Sequence, residues 1–391
     1  MWLKNDSLFH KIKIIKLKYL ILYIASLALG GLGALLIVRW GSTLRLLDRA
    51  NHRSSHKGVI PKGGGIGILA TFLLVSWVLG LPVFFWMCLA VISLLSFYGD
   101  SRDLSPKVRL GIQLIGSVVL LLGLFYWEGR GWSVYFLIPF FAVFVAGTAN
   151  YYNFMDGING IAGITGIISF WMIALFVSLS KGHDSFIIFN ICMGLACLGF
   201  LPFNMPKARV FMGDVGSVML GFVYAVLVVG LSYSLNDFIV LCSFLFPFYA
   251  DELTTLYVRL RGMELPEEGE GRTEKSGQRL DDGGKKCRVV RWKMKTRMLA
   301  KPHREHLYQL LANEMGIEHW KISLGYGVLQ ILVGIGVLML RGYGNLVIVF
   351  FLGFVFAGFA VASCFVRRIV NRTQRDKDEH WVESYMETNE K

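Results

Sequence analysis

Residues 211–234 read FMGDVGSVMLGFVYAVLVVGLSYS. One carboxylate, Asp214, stands between glycines at the head of the run, and no further charge occurs through Ser234. As a helix, the apolar run at approximately 216–234 approaches the ~20 residues needed to cross ~30 Å of hydrocarbon. Helix is the expected form, because lipid offers an exposed backbone no hydrogen-bond partners. Outward from this segment, similar apolar runs cover approximately 18–39, 63–80, 82–98, 108–127, 132–149, 158–180, 184–203, 236–258, 321–341 and 343–366. Together they predict an all-α, polytopic membrane protein of about eleven transmembrane helices.

Composition agrees with that fold class. Of 391 residues, 54% are hydrophobic and 17% charged, whereas soluble domains carry about 25% charged residues. Phe alone contributes 29 residues, and many Trp and Tyr fall near segment ends, as an interfacial aromatic belt requires. The net charge of +13 does not point to nucleic acid: the basic residues lie between apolar runs, where membrane lipids and anionic substrates are the partners. Five of the six cysteines (Cys88, Cys192, Cys197, Cys242 and Cys364) lie in apolar runs. With Cys287 they show no metal-type pairing, so no disulfide framework is expected. No cleavable signal peptide is expected either.

The domain reading is a basic tail at 1–17, a transmembrane domain at 18–366 and a C-terminal cytoplasmic tail at 367–391. A polar, Gly-rich cytoplasmic insertion is expected at about 264–300. Lysines and arginines concentrate in alternate loops: Arg45 to Lys62, then Arg102 to Arg109, then Lys207 and Arg209, then 259–320 and the tail. The other loops hold little beyond Arg130, Lys181 and Arg341. The positive-inside rule places the richer set in the cytoplasm and the N-terminus outside. The lysines before residue 18 run against that assignment.

Unusual polar content gathers in the cytoplasmic set. LDRANHRSSHKGVIPKGGG starts at Leu47, GDSRDLSPKVRLGIQ at Gly99, NYYNFMDGINGIAG at Asn150, FNMPKARVFMGDVGS at Phe203 and PHREHLYQ at Pro302. Asp156 and Asp214 each sit at a helix end before or near glycine. Either alone is explained by helix capping. Two of them, with Asn150, Asn153, Asn204 and Asp100 on the same membrane face, argue for a site. Sparse oxygen donors suit Mg²⁺, which keeps waters and completes its shell with substrate phosphates. Arg53, Lys62, Lys107, Arg109, His303, Arg304 and His306 offer positive charge for a diphosphate, although each singly also reads as a headgroup-facing residue. His303 and His306 lack the further ligands a zinc site needs. Gly63, Gly64 and Gly65 permit either close helix packing or backbone approach to a phosphate. Asp48 and Asp251 are open among cap, ion pair and site.

NFMDGING and FMGDVGS at their separation, supported by HRSSHKGVIPKGGG, resemble the polyprenyl-phosphate N-acetylhexosamine-1-phosphate transferases, the MraY/WecA superfamily (glycosyltransferase family 4). The likeness covers about residues 30–366, and PHREHLYQ is most similar to the WbpL-type branch. The resemblance implies transfer of a HexNAc-1-phosphate from a UDP-HexNAc to polyprenyl (undecaprenyl) phosphate, with release of UMP. The expected setting is the inner membrane, facing the cytoplasm, at the start of O-antigen or other surface-polysaccharide synthesis. Mg²⁺ is the implied cofactor, with Mn²⁺ as the alternative. Asp214 matches the family's metal-binding Asp and Asn153 an Asn that shares the metal. Asn150, Asn204 and Phe211 match positions lining the nucleotide pocket. Arg109 matches a basic residue near the diphosphate, while His303 and Arg304 or His306 match the loop that contacts the sugar phosphate; Lys62 stays a substrate-binding candidate on its charge. Asp100, Asp156 and Asp214 form the implied catalytic set.

Two positions depart from the pattern: Gly99 replaces the first Asp of the family's pair, and Asn159 the second Asp of DGxDG. A one-step attack and a two-step route through an aspartyl-phosphate both stay open, as does a homodimer. The alternative within the resembled superfamily is MraY-like peptidoglycan lipid I synthesis; the rival class is a transporter, which would place its polar residues near the bilayer midplane, or a lipid-binding protein.

Overall fold

The computed structural model describes residues 3–49, 58–102, 105–261 and 305–389. The predicted insertion at 264–300 therefore lies outside the described residues. Two compact units are present: residues 1–248 with 318–355, and residues 249–317 with 356–391.

The first unit contains α1 (Leu3–Trp40), α2 (Ile66–Val78), α3 (Val83–Arg102), α4 (Pro106–Trp127), α5 (Trp132–Tyr135), α6 (Ile138–Phe154), α7 (Ile161–Leu179), α8 (Asp184–Asn204), α9 (Asp214–Leu231) and α10 (Leu235–Ser243). The helix His319–Leu340 completes it, with the start of the C-terminal helix Asn345–Asn389. Every apolar run read from the sequence is helical. By length and composition, however, seven helices among the described residues are candidate spans, or eight if α10 and α11 (Phe246–Arg261) count as one. Four runs make the difference from eleven: that at 82–98 gives only a short apolar helix, Val83–Gly99, and the other three are interrupted. The run at 63–80 spends its glycines on a turn, leaving α2 with 13 residues. The run at 132–149 divides into α5 and α6, with a proline in the first turn of α6, where a missing N–H costs nothing. The run at 236–258 stops at Ser243 and restarts at Phe246.

A helix break in lipid leaves carbonyls without partners. Here the Gln330 side chain donates to the carbonyl of Phe244 at 2.6 Å, and the same amide reaches Ser169 Oγ at 2.9 Å. The Tyr224 hydroxyl lies 2.5 Å from the Leu241 carbonyl and 3.2 Å from that of Cys242. Side chains of other helices thus satisfy the break.

Helix α9 is the centre of this unit. Every residue from Val215 to Gly230 is buried, and α2, α3, α4, α6, α7 and α10 all pack on it. Glycine permits the closest approaches: a Cβ on Gly221 would stand 2.7 Å from Ala149 Cα. At its C-terminal end, Arg130 donates to the carbonyls of Gly230 (2.6 Å) and Ser232 (2.9 Å) and to Glu128 (2.6 Å). A cation there suits the negative end of the helix dipole. Arg130 is therefore a structural clamp on the face expected to be poor in basic residues.

A two-stranded antiparallel ribbon, β1 (Leu47–Arg49) with β2 (Val59–Pro61), pairs Asp48 with Ile60. From it, Lys62 enters a parallel bridge with Phe211. The Gly63 and Gly64 amides donate to the Phe211 carbonyl, and that of Gly65 to Met212, at 2.9–3.1 Å. A Cβ on Gly65 would meet Gly216 Cα at 2.5 Å. Those amides are committed to protein carbonyls, so the glycines serve packing of the loop onto α9 and not a phosphate.

In the second unit, α11 from Tyr249, residues 305–317 and the C-terminal helix from Phe356 come together. The residues expected as a tail from 367 continue that helix without interruption to Asn389.

Candidate active site

Four helix ends of the first unit meet at one place. Helix α4 starts on Ser105-Pro106, where the Ser105 hydroxyl accepts the Val108 N–H and proline takes the first helical position. This start signal puts Arg109 in the first turn. The last turn of α3 supplies Gly99, that of α6 supplies Asn153, and α9 begins at Asp214.

Arg109 Nη1 donates to Asp214 Oδ2 at 2.5 Å, while Nη2 donates to the carbonyl of Gly99 at 2.8 Å. Asn153 Nδ2 donates to Asp214 Oδ1 at 2.7 Å and to Ser217 Oγ at 2.9 Å. Asp214 is thus held on both oxygens. Its side chain remains 16% exposed and that of Arg109 29%, so the pair stays open to a ligand. Helix capping does not account for either predicted Asp. The N-cap of α9 is Gly213 and that of α7 is Gly160. Asp156 lies in the turn after α6, half-buried, with its N–H on the Asn153 carbonyl.

Asn150 donates to Gln113 Oε1 of α4 and to the Ala146 carbonyl. Gln113 is buried and one turn beyond Arg109, so this pair joins α4 to α6 beside the site. Asn204 is 3% exposed. Its amide accepts the Gly160 N–H at 2.6 Å and donates to the Val210 carbonyl at 2.9 Å. These bonds tie the start of α7 to the loop before Asp214. Asn159 is likewise a brace: its side chain donates to the Pro206 carbonyl at 3.2 Å, and its own carbonyl accepts the Ser323 hydroxyl at 2.8 Å. Lys62 and Phe211 are brought together by their backbone bridge.

Asp100 follows Gly99 in the last turn of α3. His303 and Arg304 lie outside the described residues. His306 belongs to the second unit. Its Nδ1 is 3.7 Å from Asp251 and its Nε2 3.7 Å from Glu252. Burial opposes its positive charge, but Asp251 and Glu252 outweigh that and hold its pKa above the usual imidazole value. Asp251 accepts the N–H groups of Leu307 (2.8 Å) and Tyr308 (3.4 Å); the role left open in the sequence is an anchor for this loop.

Gln113 and Ser217 were not singled out from the sequence. Their signal is position: Gln113 lies four residues after Arg109 and Ser217 three after Asp214, one helical turn in each case.

Comparison with known proteins tests the resemblance carried by these motifs. Residues 82–232 match glycosyl transferase family 4. The matched stretch covers α3 to α9, and so Gly99, Arg109, Asn153 and Asp214. Similar curated proteins include an undecaprenyl-phosphate alpha-N-acetylglucosaminyl 1-phosphate transferase of Escherichia coli K12, 29% identical over 197 residues, covering 45% of this chain and 53% of that protein. Its namesake from Haemophilus influenzae is 31% identical over 215 residues, covering 50% and 60%. A phospho-N-acetylmuramoyl-pentapeptide-transferase from a Wolbachia of Brugia malayi is 31% identical over 205 residues, covering 46% and 63%. The chain thus spans somewhat over half the length of the curated relatives it matches. The chain that these matches fall on is the all-α protein with the candidate membrane spans described above.

Proposed function

We propose that this protein transfers HexNAc-1-phosphate, GlcNAc or a related amino sugar, from a UDP-sugar to undecaprenyl phosphate, releasing UMP. The observation that carries the reading is Asp214, opening the buried helix of the family-4 region, with Arg109 and Asn153 on its carboxylate. The names of the relatives supply the substrate class.

Few covalent steps are asked of the protein. An oxygen of the lipid phosphate attacks the β-phosphorus of the UDP-sugar, and the bond from that phosphorus to the bridging oxygen breaks, so UMP leaves. Catalysis then rests on positioning and on charge set against the diphosphate. Arg109 is the guanidinium placed for this. Its two donors already bind oxygen acceptors, and phosphate oxygens suit the same fork. Asp100 and Asp156 complete the acidic set at the same helix ends.

The donors also fit Mg²⁺, with Mn²⁺ as the alternative: one carboxylate and one carboxamide, partly exposed, leave room for waters and substrate phosphates. Asp214 and Asn153 would hold the ion, the carboxamide turning its oxygen toward it. When bound, such an ion supplies positive charge against the developing charge of the leaving UMP. We place the site at the cytoplasmic face of the inner membrane, where a soluble sugar nucleotide meets a lipid phosphate.

A transporter would concentrate polar groups at mid-membrane. The polar residues of this site instead occupy helix ends, which favours the enzyme. The test is UMP release by purified protein with undecaprenyl phosphate, Mg²⁺ and a panel of UDP-amino sugars. Release from UDP-GlcNAc or a deoxy analogue that ceases with EDTA is expected. Folded protein that releases UMP from no UDP-HexNAc overturns the reading.

A further inference from the structure

The turn between α6 and α7 runs from Met155 to Gly160 and carries Asp156. It begins at the site itself. The Asp156 N–H donates to the Asn153 carbonyl at 3.1 Å, and the Asn153 side chain donates to Asp214. Where the turn stands therefore bears on both Asp156 and the end of α6. The turn has little of its own to hold it: Gly160, the N-cap of α7, offers no side chain to the helix start. Main-chain groups so placed need partners from elsewhere.

The Gly160 N–H finds its partner in Asn204. Both main-chain groups of Asn159 find theirs on a single helix, His319–Leu340. The Asn159 N–H donates to His319 Nδ1 at 3.4 Å, and its carbonyl accepts the Ser323 hydroxyl at 2.8 Å. His319 and Ser323 lie one turn apart, so they share a face of that helix. Ser323 is fully buried and His319 half-buried. All of these residues belong to the first unit. One helix face thus grips Asn159 at its amide and its carbonyl together, which fixes the orientation of the chain there as well as its position. An imidazole nitrogen that accepts carries no proton, so the ring's own hydrogen stands on Nε2.

We propose that His319 and Ser323 are positioning residues for the transfer. From the helix His319–Leu340 they hold the main chain of Asn159, and through the turn they set where Asp156 and Asn153 stand. The proposal rests on the transferase reading above. Charge and dipoles act on a transition state only when they are held in place beforehand, and small misplacements from a distance are costly.

The experiment compares the full-length wild type with His319→Phe, His319→Asn and Ser323→Ala, each checked for folding by gel filtration in detergent. His319→Phe keeps a ring without the acceptor. His319→Asn keeps an acceptor, its side-chain oxygen, near the place of Nδ1. UMP release is measured against UDP-sugar concentration, and hydrogen exchange is followed at the Asn159 and Gly160 amides. His319→Phe and Ser323→Ala are each expected to lower kcat about fivefold, the scale of one neutral hydrogen bond, with KM changed less. Their turn amides should exchange faster, and His319→Asn should recover most of the kcat. A lower yield of folded protein, with kcat and exchange unchanged in the folded fraction, overturns the proposal. So does faster exchange with unchanged kcat. A loss in His319→Phe that His319→Asn shares in full assigns the effect to the ring and overturns it too. Should His319→Phe not fold, unchanged kcat in Ser323→Ala decides against it. A wild type that releases no UMP from any UDP-HexNAc overturns the transferase reading itself, and exchange, which needs no turnover, then still tests the hold on the turn.

Discussion

Asp214 divides its two oxygens between a guanidinium and a carboxamide, so its charge is the one around which the neighbouring groups are arranged. Asp214→Asn keeps the shape and removes that charge. UMP release should fall by at least about 10², the scale seen when a charge-stabilising group is lost, with elution from gel filtration unchanged; activity within a few-fold of wild type would remove Asp214 from its role. Arg109→Lys retains the charge but not the two-pronged donation to Asp214 and Gly99. A fall of about tenfold in kcat/KM is expected, measured by the same assay. The Gly99 contact also bears on the position at which the resembled family carries an Asp. At this position the chain offers a main-chain carbonyl to Arg109, an acceptor that needs no side chain.

At the level of elements, the break between α10 and α11 is the feature most exposed to error in lipid, because its carbonyls have no water to turn to. Gln330 meets one of them from the helix His319–Leu340. Gln330→Leu should destabilise the protein by about 1–3 kcal/mol, the penalty for an orphaned buried acceptor, read as a lower thermal midpoint in detergent. An unaltered midpoint would mean the carbonyl finds another partner. Gly65→Ala tests the joint between the glycine loop and α9. The added methyl meets backbone atoms of Gly216, which cannot rotate aside, so folded yield should drop while Gly325→Ala, with helical backbone and open space at its Cβ, tolerates the added methyl.

Over the first unit, Asp214, Arg109, Asn153 and Gly99 occupy one set of helix ends, and Arg130 secures the opposite end of α9. Arg341, which ends the helix His319–Leu340, reaches Ser180 at the end of α7 and faces the Phe176 ring at 5.5 Å. The stray basic residues of the sparser loops thus include two with packing partners. In a cysteine-less background, Gly131→Cys should react with a membrane-impermeant maleimide on intact cells, and Lys207→Cys only after permeabilisation. The reverse labelling would invert the proposed topology.

The sequence by itself determined the helical membrane class and the position of each apolar run, and it singled out Asp214, Asn153 and Arg109, which the tertiary structure brings together. Apolar length and motif spacing are local properties, and lipid leaves the backbone one choice. Only the tertiary structure decided where runs break, because a break depends on partners such as Gln330 and Tyr224 that arrive from distant helices. It likewise showed Asn204, a pocket candidate, and Asn159, a departure from the family pattern, each tying two segments together, committed the three glycine amides to carbonyls and gave Asp251 and Arg367 a loop to hold. A side chain's hydrogen-bond partners are set by which helix ends meet, and no local stretch of sequence contains that information.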